Sequence, residues 1–427
     1  MTHPSRQDAF AAFTQIGLQS FGGPAAQISL MHRVLVEQKG WLSEKQFLNA
    51  LSFCMLLPGP EAMQLATYAG WRLHGITGGL MAGLLFVLPG AAVIFALAAI
   101  YTTLGEVPLI ETLFLGIKAA VLIIVLDALL RLSKKALERA EHWWIALFAF
   151  VAIFFLSLPF PLIILGAALF GMFFSHAPEG RADAPVVIET SLPRTMATIG
   201  LGAAIWLVPI ALLAPVFGAT LLAELGAFFS KLAVVTFGGA YAVLAYMAQD
   251  VVTEHGWLTA GEMLDGLGLA ETTPGPLILV TQFVGYLAAF REGGVWLGIG
   301  GGLVALWATF IPCFLWIFAG APYIEWIGAQ PRLKGAFSAI TAAVVGVILN
   351  LSIWFALHVF FADVTRTLLG PFTIWVPDPA SLDPRVLALS ALCAILLLRL
   401  RLALGWVLVI AASAAVLLDL LAVPAWT

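Results

Sequence analysis

The chain has 427 residues, of which 62% are hydrophobic and 10% charged, and its formal net charge is −4. An ordinary soluble domain carries about 25% charged residues, so the composition excludes a soluble globular protein. No basic cluster suggests nucleic acid.

The first residues, MTHPSRQDAF, lack the charged-then-apolar order of a cleaved signal peptide, so insertion by internal spans is expected. At Phe21, FGGPAAQISLM interrupts an apolar stretch with Gly22 and Gly23. A second interruption, Pro58, Gly59 and Pro60, stands in LLPGPEAMQLATYAGWRLHG. Proline removes a backbone donor and clashes with the preceding turn, so a helix entering at Gln46 should break there. Apolar runs follow at 80–103, 109–132, 143–174, 196–220, 295–319, 335–361 and 386–423. Each reaches the roughly 20 residues that cross a bilayer core. None alternates apolar with polar, which excludes a membrane β-barrel. Between the third and fourth runs lies a Pro-rich charged linker, 175–194.

The second half repeats the first. FGGPAAQISLM recurs as FGGAYAVLAYM at Phe237, and LLPGPEAMQLATYAGW recurs as TTPGPLILVTQFVGY. Residues 21–60 against 237–276, at an offset of 216, share fourteen identities in forty positions without a gap. After an insertion near Arg291 the match resumes at an offset of 223, where Lys118 aligns with Thr341. The chain thus reads as a tandem duplication. It divides into a first repeat (1–174), a polar linker (175–194), a linking transmembrane segment (195–216) and a second repeat (217–427). The predicted fold is an all-α polytopic membrane protein with about 13 transmembrane segments, each broken segment counted as one crossing. Seven crossings between matching points place the repeats in opposite orientation. With the N-terminus inside, Lys and Arg divide twelve inside to six outside, in keeping with the positive-inside rule.

Inverted repeats bring both pairs of breaks, FGG and PGP, toward the bilayer midplane. A helix restarting after a break points N–H groups and the positive end of its dipole outward, and two such ends facing one cavity make an anion site. Polar neutral groups stand beside the breaks: Gln64 and Thr67 in the first half, Thr272, Thr273, Thr281 and Gln282 in the second. Ionisable residues at membrane depth are costly and point to function. Here they are Lys118, Glu61 directly after the first PGP and Glu271 before the second, with Arg72 at the mouth. The substrate-binding set is therefore Gly22, Gly23, Pro58, Gly59, Pro60, Gln64, Arg72, Lys118, Gly238, Gly239, Thr272, Thr273, Pro274, Gly275 and Pro276. Glu61 and Glu271 are the candidates for proton coupling, and Lys118 has Glu61 or Glu271 as its expected partner. No nucleotide-binding loop appears. The seven histidines and three cysteines form no ligand cluster, so neither a metal nor another cofactor is expected.

These motifs, with GWLSEKQF and AITAAVVGVILN, resemble those of the CHR family of chromate ion transporters, in its long-chain, two-domain form. The resemblance covers nearly the whole chain. In the first half it falls on Phe21 to Pro24, Trp41, Pro58 to Glu61, Gln64 and Gly70 to Arg72. In the second it falls on Phe237 to Gly239, Trp257, Glu271, Thr272, Pro274 to Pro276, Gly285, Tyr286 and Asn350. One departure is GYLAAFREGG, whose arginine sits further from its Gly-Tyr pair than Arg72 sits from Gly70-Trp71. The resemblance implies a secondary transporter in the bacterial inner membrane that exports chromate and confers resistance, with sulfate as a similar oxyanion. Protons are the candidate coupling ion, and the bilayer and a second copy of the chain are the other expected partners. The competing readings are a sulfate carrier, an anion channel and an intramembrane enzyme. The last lacks a His or Cys beside a membrane-depth carboxylate in sequence.

Overall fold

The computed structural model describes residues 4–104, 107–174, 190–237 and 240–422. Most of the predicted linker, 175–189, and two predicted site residues, Gly238 and Gly239, lie outside the described residues. Regular structure among the described residues is almost wholly helical: a polytopic all-α membrane protein, with six described helices long and apolar enough to cross a bilayer. A two-stranded antiparallel hairpin, β1 (Val364–Leu369) with β2 (Phe372–Pro377), is the exception. Its cross-strand pair Arg366 and Trp375 stacks guanidinium on indole at 6.0 Å.

The chain forms two compact units that draw on both halves of the sequence. The first contains Met1–Ala98, Phe170–Val243 and Thr273–Phe337. It opens with α1 (Arg6–Gln19), capped by the Ser5 hydroxyl accepting from the Asp8 amide, and α2 (Gly23–His32). Helix α3 (Glu44–Leu56) starts at a reciprocal capping box between Ser43 and Gln46.

Helix α4 (Glu61–Leu104) is not one rod. At His74 (φ −138°, ψ 25°) and Gly75 (φ 63°, ψ −153°) the chain leaves helical geometry and doubles back. A Cβ added at Gly79 would lie 3.1 Å from the Thr67 carbonyl, and one at Gly83 would lie 2.5 Å from Thr67 Oγ1. Residues 67 and 83 of a continuous helix would stand about 24 Å apart. Gly70 and Gly78 let the arms meet backbone to backbone, since a Cβ at either would strike the other's carbonyl. After α5 (Pro108–Ala136), α6 (Ala140–Phe154), α7 (Phe160–Phe174), α8 (Leu192–Phe217), α9 (Thr220–Val235), α10 (Ala240–Gln249) and α11 (Ala260–Thr272) comes α12 (Val280–Gly320). It repeats the device, turning at Gly293 and Gly294 (φ 71°, ψ −161°) with Gly285 against the Gly301 carbonyl. The first arm of α4, residues 61–73, is shorter than the roughly 20 residues a crossing needs.

The second unit contains Ala99–Leu169, Leu244–Thr272 and Ser338–Thr427. Helix α5 packs on α11, on α15 (Pro384–Ala394) and on α16 (Leu404–Ala422), touching α16 where Gly116 meets the Ala411 carbonyl. After α13 (Ile324–Ala329) in the chain, helix α14 (Pro331–Phe360) meets α6 through Gly346 and the Ala146 carbonyl. The apolar runs 143–174 and 386–423, each read as continuous, both divide. Ser157 adopts φ 49° ahead of Pro159, ending α6, and Arg401 adopts φ 54° before α16.

The offset of 216 recurs in the hydrogen bonds. The Lys39 amide donates to Val34 and the Trp41 amide to Leu35, while His255 donates to Asp250 and Trp257 to Val251. Each set closes a π-helical turn, at Arg33–Gln38 and Asp250–Glu254.

Candidate functional site

The breaks in the first unit are built as the residue types require. Helix α1 ends with the Ser20 hydroxyl donating to the Ile16 carbonyl at 2.6 Å. Gly22 and Gly23 then take φ +83° and +78°, a region that side chains with a Cβ avoid. A Cβ at Gly23 would meet nothing within 4 Å, so backbone conformation rather than close helix packing calls for glycine here.

Each PGP triplet docks on the residue that precedes the FGG motif of the other half. The Gly59 amide donates to the Thr236 carbonyl at 2.8 Å, and the Gly275 amide donates to the Ser20 carbonyl at 2.8 Å. Both partners are related by the offset of 216. A further reciprocal contact follows the offset of 223. A Cβ at Gly59 would lie 2.8 Å from Cys313 Sγ, while Gly275 faces Gly90, the position matching Cys313. Exchange of the same contact in both directions is the mark of a local twofold relation.

Buried amides brace this arrangement. Gln27 Nε2 donates to the carbonyls of Gly275 (2.7 Å) and Ser20 (3.2 Å), Gln64 Nε2 to Pro58 (2.7 Å) and Gln282 Nε2 to Ala91 (2.9 Å). Since every partner is a carbonyl, the nitrogen of each amide must face it. The three Oε1 atoms are buried without a hydrogen-bond partner. Three of the four hydroxyls named beside the breaks donate to carbonyls of their own segments. Thr67 donates to Met63 at 2.9 Å, Thr272 to Leu269 at 2.8 Å and Thr281 to Ile278 at 2.9 Å, because a helical hydroxyl finds an acceptor in the carbonyl one turn back. The restarted helix α4 bonds the Gln64 amide to the Pro60 carbonyl.

The predicted site residues divide between the units. Gly22, Gly23, Pro58, Gly59, Pro60, Glu61, Gln64, Thr273, Pro274, Gly275 and Pro276 fall in the first unit. Arg72 is in the same unit but exposed, beside the hairpin turn, about 18 Å along the helix from Pro60. Lys118, Glu271 and Thr272 belong to the second unit, with Glu271 buried in the last turn of α11.

Lys118 forms an ion pair with a carboxylate that the sequence reading did not name. Its Nζ lies 3.3 Å from Asp265 Oδ2, which also accepts from the Tyr101 hydroxyl at 2.8 Å. The sequence reading missed Asp265, Tyr101 and Gln27. One signal was available: Asp265 aligns with Asn49 at the offset of 216, and Lys118 aligns with Thr341, so a charged pair in one place is neutral in the other.

Among known proteins, a family model described as "Chromate transporter" matches residues 7–172 and 223–418. A chromate transport protein of Cupriavidus metallidurans is 30% identical over 85% of each chain. One of Pseudomonas aeruginosa is 34% identical over 79% of this chain and 78% of its own. An uncharacterised transporter of Methanocaldococcus jannaschii is 26% identical over 84% and 86%. No solved structure gives a significant match.

Proposed function

Because the chain belongs to the chromate transporter family, we propose that it is a secondary transporter exporting chromate from the cytoplasm in exchange for protons. On this reading it lies in the bacterial inner membrane, crosses it about 13 times and confers chromate resistance. Its repeats, 1–174 and 217–427, run in opposite orientation.

The observation that carries the reading is the reciprocal docking of Gly59 on Thr236 and Gly275 on Ser20. It sets two restarted helices in one compact unit, and helix N-termini suit an oxyanion without trapping it by side-chain charge. Both glycine amides are engaged in this conformation. Releasing one docking contact would turn its amide and the adjoining helix start into donors for a tetrahedral dianion. The two contacts serving in alternation would give each side of the membrane its own binding state. Gly22, Gly23, Gln64 and Thr273 line the same breaks. Glu61 and Glu271, which adjoin the PGP triplets in sequence, are candidate proton carriers.

Labelled chromate uptake into everted membrane vesicles tests this, with and without an imposed pH gradient and with excess sulfate. Gradient-dependent accumulation that sulfate competes with weakly is the expected result. Absence of accumulation, or its complete suppression by sulfate, would transfer the site to sulfate, which shares chromate's shape and charge.

A further inference from the structure

We infer that Asp265 is a proton-carrying carboxylate of this transporter, held ready by Lys118 and Tyr101. The inference rests on the proton-coupled reading above and adds a site to it in the second compact unit.

Asp265 sits in α11 and is 4% exposed. Both of its visible partners address one oxygen: Lys118 Nζ from α5 at 3.3 Å and the Tyr101 hydroxyl at 2.8 Å meet Oδ2. The other oxygen, Oδ1, is buried and has no hydrogen-bond partner. Leaving it bare costs about 1–3 kcal/mol, and that bare oxygen is the one open to a proton. Protonation at Oδ1 forms one O–H bond with a proton delivered from water and changes the Lys118–Asp265 pair from net neutral to net positive. Departure of the proton restores the pair. The charged and titratable groups facing Asp265 are Lys118 from α5, Tyr101 from the returning arm of α4, and Glu262 one turn earlier on α11.

The duplication removes the plainest structural explanation. At the equivalent positions the chain carries Asn49 and Thr341, both neutral. The repeat therefore accepts uncharged residues there, yet in one copy it holds a buried ion pair whose desolvation is costly. Retaining both charges together, once, is what a coupling site requires.

The test is Asp265→Asn in everted vesicles, with membrane insertion checked first. Two quantities are read: accumulation of labelled chromate under a pH gradient, and exchange of labelled for unlabelled chromate with no gradient. We expect the ratio of gradient-driven accumulation to exchange to fall by about tenfold, the size of an ordinary coupling energy. Asp265→Glu should recover the ratio, with its pH dependence displaced. A ratio within about twofold of wild type in Asp265→Asn would overturn the assignment. So would loss of exchange in both Asn and Glu variants, which would mark Asp265 as structural. If wild type itself shows no gradient-driven accumulation, the proton-coupled reading falls, and this inference falls with it.

Discussion

Gly275 is held at both ends of its own residue: its amide donates to the Ser20 carbonyl at 2.8 Å, and its carbonyl accepts from Gln27 Nε2 at 2.7 Å. Gln27 spans the two, reaching the Ser20 carbonyl as well. Replacing it with leucine leaves a buried carbonyl without its side-chain donor, at a cost of about 1–3 kcal/mol. Gln27→Leu should lower the thermal midpoint of the detergent-purified protein, read by intrinsic fluorescence. An unchanged midpoint would show that the brace is dispensable.

The hairpins depend on glycine where arms touch. A Cβ at Gly285 would come 2.6 Å from the Gly301 carbonyl, whereas one at Gly405 in α16 would meet nothing within 4 Å. Gly285→Ala should therefore cost about 1–3 kcal/mol by overpacking, seen as a loss of folded yield and a lower midpoint. Gly405→Ala should stay within about 0.5 kcal/mol of wild type. Equal behaviour of the two variants would contradict the back-folded arms.

The proposed opposite orientation of the repeats would place the two hairpin turns on opposite membrane faces. Thr77 and Glu292 are exposed beside those turns, and the native cysteines Cys54, Cys313 and Cys393 are buried. Thr77→Cys should react with an impermeant maleimide only in everted vesicles and Glu292→Cys only in right-side-out ones. Labelling of both from one face would refute inversion.

Charge at membrane depth should matter to flux more than to assembly. Glu61→Gln and Lys118→Ala are each expected to abolish chromate transport while the protein still inserts. Lys118→Ala also leaves Asp265 without its ion-pair partner, so its folded yield should drop where that of Glu61→Gln does not. Wild-type flux from either variant would remove that residue from the mechanism.

His32 offers a pH-dependent contribution outside the long spans. Its Nε2 meets Glu44 at 2.7 Å and its Nδ1 meets Glu37 at 3.2 Å. The hydrogen bond with Glu44, with the charge of both carboxylates, holds its pKa above the usual 6.5. A raised folded-state pKa stabilises fully below the unfolded value and ceases to do so as pH rises through the folded value. The midpoint difference between wild type and His32→Gln should thus be largest near about pH 5.5 and shrink toward about pH 8.5. A difference independent of pH would show that the pair acts without its charge.

Composition and the lengths of the apolar runs determined by themselves that this chain is a helical membrane protein, because hydrocarbon admits only segments that satisfy their own backbone. The offset of 216 determined the duplication, and proline and glycine chemistry determined where α1 and α3 stop. Tertiary structure alone decided that the segments after PGP double back at Gly75 and Gly294. Apolar periodicity is the same for one long helix as for two arms joined by a two-residue turn. It also decided that the PGP glycines give their amides to Ser20 and Thr236, and that Lys118 pairs with Asp265. A buried charge takes the partner that packing brings within reach, here 147 positions further along the chain, and local sequence carries no record of that choice.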